Sequence, residues 1–220
     1  MTIKVSAFKW VPPFAQGSVR DLRVRWALEE VGIGYEERLL GQGDQVNEKA
    51  RGLQPFGQVP VYQEDGLTLF ESGAIVLHIA GKFDALMPSD PHARARMTTW
   101  MFAALNSIEP IIGNLADIDF FSPDEEWAKL HRPAAVEAVN KRLADLSCWL
   151  YGKEYLEDRF TGADILMTTV LRDLRHTDIV AAFPVLDAYV KRCETRPAFQ
   201  KALADQMAVF VQHESPEKAA

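Results

Sequence analysis

An acid and a hydroxyl stand side by side where one kind of regular structure gives way to another. Glu71 and Ser72 fall in the stretch Pro55 to Gly81, after Val59-Pro60-Val61-Tyr62 and the turn Asp65-Gly66. Asp-Gly between short apolar runs signals a hairpin, with Leu67 and Leu69 on the returning strand. Past Phe70 the period changes: Ala74, Ile75, Leu77 and Ile79 recur at helical spacing, which predicts a helix over Ser72 to Gly81. The start of such a helix presents unpaired N–H groups and Ser72 adds a side-chain oxygen, a combination that suits a carboxylate. Pro60, expected inside the first strand of the hairpin, can donate nothing to a ladder and belongs at an edge. The Val59 backbone is then left to pair with a peptide-like ligand whose carboxylate reaches Glu71-Ser72.

Other chemistries find little support. His78, His92, His131, His176 and His213 are scattered, with no two at i+3 or i+4. Asp173 with His176, and His213 with Glu217, have helix-neighbour spacing, a pattern commoner in surface contacts than in metal ligation. No metal site is expected. Gly41-Gln42-Gly43 is too short for a nucleotide-binding loop.

The elements that must hold the acid and hydroxyl can be traced in order. Ile3 to Trp10 alternates as a first strand and Val11 to Gly17 is a Pro/Gly loop. A helix opens at Ser18, carries Leu22, Val24, Ala27, Leu28 and Val31 on one spacing, and stops at Gly32 and Gly34. Tyr35 to Leu40 reads as a second strand, completing a βαβ unit with a right-handed crossover. The polar segment Gly41 to Leu53 holds a short helix, and the hairpin completes a four-stranded sheet. The order β-α-β-α-β-β-α is that of a thioredoxin-like domain over residues 1–82.

A linker over residues 83–91 contains Pro88 and Pro91, and strand signals vanish beyond it. Residues 92–220 read as an all-helical domain. Arg94 to Ile112 is a long helix that Pro110 should kink or end, and Pro133 to Tyr151 is another with Pro at its start. Gly152 to Arg159 is a charged loop. Thr161 caps a helix, with Asp164 three residues on to reach back, and this helix is apolar nearly all round and should lie at the centre. Further helices start near Pro184 and Pro197, and the polar end Ser215 to Ala220 should fray.

Composition narrows the function classes. At 220 residues, 48% hydrophobic and 25% charged, the chain can bury a sizeable core. A formal charge of −7 argues against a nucleic-acid partner, and no apolar run is long enough to span a membrane. The N-terminus lacks the pattern of a signal peptide. Cys148 and Cys193 form neither a disulfide framework nor a CxxC motif, which fits a reducing cytoplasm.

The run Gln58-Val59-Pro60, the Asp-Gly hairpin and Phe70-Glu71-Ser72-Gly73-Ala74-Ile75 together resemble the glutathione-binding half of the cytosolic glutathione S-transferases. Thr161-Gly162-Ala163-Asp164-Ile165 resembles a folding element of the same family, and the likeness extends over roughly Ile3 to Val209. It implies a thioredoxin-like domain followed by a helical bundle, a homodimer, and transfer of the glutathione thiol to a hydrophobic electrophile. It also implies a cis Pro60, a Val59 backbone paired with the cysteinyl part of glutathione, and a γ-glutamyl end held by Glu71 and Ser72. Gln58 would add a side-chain contact, and Gln45 or Lys49 would meet the glycyl carboxylate. Ser18 before Arg23-Val24-Arg25-Trp26-Ala27-Leu28 is similar to the serine-type zeta class and would activate the thiol as catalytic residue. The loop before it, Val11 to Gly17, departs from that class, and a plain helix cap is the other reading of Ser18; the alternative donors are Ser6, inside the first strand, and the Trp10 N–H. Trp10, Phe14, Trp100 and Phe102 are the candidates for an electrophile pocket. A glutathione-dependent isomerase or dehalogenase, and a binding module without catalysis, are the alternatives.

Overall fold

The computed structural model describes residues 2–83 and 85–213. The chain divides into two compact units: Met87 to Thr195, and everything before and after it.

The first unit is built on a four-stranded sheet in the order β2-β1-β3-β4. Strand β1 (Lys4–Phe8) runs parallel to β2 (Glu36–Leu40) and antiparallel to β3 (Tyr62–Glu64), which pairs with β4 (Leu67–Leu69). Positive φ at both Asp65 (45°) and Gly66 (87°) gives the two-residue turn its twist. Helix α1 (Asp21–Glu30) joins β1 to β2 and packs on β1 and on α3 (Ser72–Phe83). It ends as the glycine spacing predicts. Gly32, at φ 69°, lets its own N–H reach Glu29 C=O while Ile33 N–H bonds Leu28 C=O, a Schellman closure. Between β2 and β3 lie a 3₁₀ turn (Asp44–Val46) and the short α2 (Glu48–Arg51), with Asn47 capping α2. Ile3, Val5, Leu22, Trp26, Leu28, Tyr62, Ile75 and Ile79 form the core.

The second unit is helical: α4 (Pro91–Ala103), α5 (Glu109–Phe121), α6 (Glu126–Leu150), α7 (Gly162–Arg172) and α8 (Pro184–Glu194). Every residue of α7 except Arg172 is buried, so the apolar helix is central, as expected. Its capping box is complete, with Asp164 also accepting from Leu156 N–H and from the Tyr189 hydroxyl.

Four expectations need correcting. The helix does not run unbroken from Arg94 to Ile112: a π-helical turn over Ala104–Ile108 separates α4 from α5, and Pro110 stands in the first turn of α5, where its missing N–H costs least. Pro133 lies inside α6 rather than at its start, because the helix begins at Glu126. Helix α1 begins at Asp21 rather than Ser18, after a loop that contains a 3₁₀ turn (Pro13–Ala15). The last helix, α9 (Pro197–Gln212), belongs with the first unit rather than with a helical domain running to residue 220. It packs along α1, where Phe199 meets Trp26 edge-on at 4.8 Å and Arg196 grips the Glu30 carboxylate at 2.6 and 2.7 Å. The end Ser215 to Ala220, and Glu217 with it, lies outside the described residues.

Candidate functional site

Pro60 has no N–H, so the ladder between β1 and β3 cannot run through it. Strand β3 starts at Tyr62, which puts Val59 and Pro60 ahead of the strand and not inside it, and the Val59–Pro60 peptide is cis. Buried Ser6 makes the junction. Its N–H bonds Val61 C=O at 2.8 Å, and its hydroxyl oxygen accepts from Val61 N–H at 2.7 Å. The Ser6 side chain thus replaces one ladder carbonyl and is committed to structure. Among the described residues no hydrogen bond engages the Val59 N–H or C=O.

The hairpin brings the acid and hydroxyl to this edge. Tyr62 stands opposite Leu69, and carrying that register back two residues sets Pro60 opposite Glu71. Glu71 has φ 67°, an unfavourable left-handed backbone for a residue with a side chain, and its C=O accepts the first bond of α3 from Ile75. Its side chain is exposed. Ser72 is buried, and its oxygen accepts from Arg23 Nη1 at 3.1 Å.

On the approach to Val59 the backbone is crowded. Gly57 is at φ 67°, and a Cβ there would stand 2.9 Å from Val46 Cγ1 and 3.3 Å from Gln45 O. Only glycine lets the two segments come so close. This contact brings Gln45, half-buried with its Oε1 unpartnered among the described residues, next to the Gln58-Val59 segment. Exposed Gln58 has Oε1 3.5 Å from the amide of buried Gln54, whose own oxygen accepts from Phe56 N–H at 2.5 Å. Lys49 is exposed on α2. The cation that does brace this loop is Arg51, through Val46 C=O at 3.1 Å and Pro55 C=O at 3.2 Å.

Ser18 is half-buried in the turn before α1, with its N–H bonded to Ala15 C=O at 3.0 Å. It is not a helix cap, since that position is held by Arg20 with no side-chain bond. Gln206 on α9 fixes the segment that follows, donating to Val19 C=O at 3.2 Å and to Asp21 at 2.9 Å. Asp21 in turn holds Arg25 at 2.6 Å. Burial alone would lower the Arg25 pKa, but Asp21 and Glu37 raise it further, so the guanidinium stays charged. Trp10 is half-buried just past β1 and Phe14 half-exposed in the loop. Trp100 packs against Trp149 at 5.0 Å, and Phe102 is exposed on α4 in the second unit.

The edge and the acid–hydroxyl pair were legible in the sequence, whereas the bonds made by Ser6, Arg23, Gln54, Arg51 and Gln206 were not. Arg51 had a local signal, as a second cation near Lys49 in the segment searched for one. The others bond across tens of residues or through backbone, where spacing carries no signal. Among the described residues no cluster of potential metal ligands occurs.

Two family models match the chain: the glutathione S-transferase N-terminal domain over residues 15–81 and the C-terminal domain over residues 115–197. A glutathione S-transferase of Hyoscyamus muticus is 32% identical over 83% of this chain and 92% of its own length. Glutathione S-transferase alpha-2 of Rattus norvegicus is 30% identical, covering 82% of this chain and 81% of the relative. Among solved structures, a glutathione transferase from Burkholderia graminis with two glutathione molecules bound per subunit superposes with a TM-score of 0.81. It is 27% identical and covers 92% of this chain and 87% of that one. The chain belongs to the glutathione S-transferase family.

Proposed function

We propose that this transferase lays glutathione along Val59, with the γ-glutamyl end at Glu71-Ser72 and the thiol toward Ser18. The observation that carries the reading is the unpaired Val59 backbone before a cis proline, directly across the hairpin register from Glu71. A cysteinyl backbone pairs with Val59, the Glu71 carboxylate takes the ammonium, and the Ser72 hydroxyl with the first N–H groups of α3 takes the α-carboxylate. Gln45 and Gln58 line the path to the glycyl end, where Arg51 or Lys49 supplies a cation.

Activation needs one hydrogen-bond donor at the sulfur. A thiol of pKa near 8.5 is only a few per cent ionised at neutral pH, and a donor that favours the thiolate lowers that pKa. Ser18 supplies it, a reading supported by its place in the turn just ahead of α1, where its N–H bonds Ala15 C=O. The thiolate attacks a hydrophobic electrophile, which Trp10 and Phe14 of the first unit receive. The protein works as a cytoplasmic homodimer. Cys148 and Cys193, neither in a disulfide, support the compartment, and Phe56, 65% exposed beside Phe70, supports an association surface on the first unit.

Retention on immobilised glutathione, followed by turnover of a chlorodinitrobenzene-type electrophile, tests the reading. Binding with turnover that falls in Ser18→Ala supports it. Failure to bind removes the site, and unchanged turnover in the variant removes Ser18.

A further inference from the structure

We infer that Arg23 is a positioning residue for glutathione, holding the Ser72 hydroxyl so that its proton is given to the γ-glutamyl carboxylate. The inference rests on the site reading above and deepens it. Arg23 is 2% exposed on α1, and its Nη1 lies 3.1 Å from Ser72 Oγ. A serine hydroxyl has one proton and two lone pairs, and a guanidinium can only donate. The bond to Arg23 therefore occupies a lone pair of Ser72 and leaves its proton for another acceptor.

Two consequences follow for a carboxylate at this place. The serine rotamer is fixed from below, so no torsional freedom is lost when the ligand binds. A charged donor polarises the hydroxyl and strengthens the bond it gives. Arg23 touches no reacting atom. Its effect is expected on glutathione binding, and not on the chemistry at sulfur or on the electrophile.

The test is calorimetric binding of two ligands to the full chain: glutathione, and γ-aminobutyryl-cysteinylglycine, which keeps the amine and thiol but lacks the α-carboxylate. The variants are Arg23→Lys, Arg23→Gln, Ser72→Ala and Ser72→Ala combined with each Arg23 change. Each single change is expected to weaken glutathione about tenfold, as for loss of one hydrogen bond to a charged group. The Arg23 changes should leave the analogue's affinity as it was, which also reports that the variant is folded. The double variants should bind glutathione no worse than Ser72→Ala alone. In turnover, KM for glutathione should rise while kcat at saturating glutathione and KM for the electrophile stay put. Equal losses for both ligands, or full addition of the two losses in the double variant, would overturn the role of Arg23. An unchanged glutathione affinity in Ser72→Ala would instead remove the anchor itself, and the site reading with it.

Discussion

At the scale of single residues, position in backbone space separates function from stability. Glu71 carries a side chain at φ 67°, where an L-residue is strained, and it does so at the cap of the helix proposed to receive the ligand. Replacing it by glycine relieves that strain. Glu71→Gly is expected to raise stability by up to about 1 kcal/mol while weakening glutathione binding. Denaturant unfolding and calorimetry on the same sample check both halves, and a variant that is less stable and binds equally well would refute the account of this residue. Ser18→Ala is expected to fold, since Ser18 stands ahead of α1 and not at its cap. Its kcat should fall, with KM for glutathione little changed, as steady-state kinetics would read.

At the scale of elements, the second unit hangs on Asp164. This buried carboxylate accepts from the Leu156 and Thr161 N–H groups and from the Thr161 and Tyr189 hydroxyls. Thr161→Ala removes one cap and should cost about 1 kcal/mol; Asp164→Ala strands several buried donors and should cost several times more. Thermal melts order the two. Asp119 on α5 adds a pH dependence. Burial raises its pKa, but the hydrogen bonds from Arg132 and His176 outweigh that and hold it below the usual carboxylate range. A lowered folded pKa contributes stability that is present above the unfolded value of 3.8 and lost as the pH falls through the folded one. Melts between neutral pH and pH about 3 should show that loss, reduced in Asp119→Asn. Much of this level was legible in the sequence. The hairpin turn, the glycine that closes α1 and the Thr161-Asp164 box are local codes, and each sits where its spacing says. The helix starts at Ser18 and Pro133 were misplaced for a common reason. Tight turns with i+3 bonds mimic the first turn of a helix before Asp21, and the packing of α6 tolerates an interior proline that local rules would put at an end. The Arg23–Ser72 and Gln206–Asp21 bonds join α1 to helices far along the chain, so no window of sequence could reveal them.

At the scale of the whole molecule, the first unit is completed by the last helix. Phe199 is buried against Trp26, and Phe199→Ala should destabilise by about 3–5 kcal/mol, with the loss read from denaturant unfolding. If the exposed Phe56–Phe70 pair is covered by a second copy, Phe56→Asp should shift sedimentation from dimer to monomer; sedimentation unchanged by the substitution would place any dimer surface elsewhere. The state of the tripeptide thiol is read by an ultraviolet titration of thiolate in the glutathione complex. The account predicts that the bound thiol ionises clearly below its free value near 8.5, and that Ser18→Ala moves it back toward that value. A bound thiol that titrates as it does in water, or one whose ionisation ignores Ser18, would contradict it.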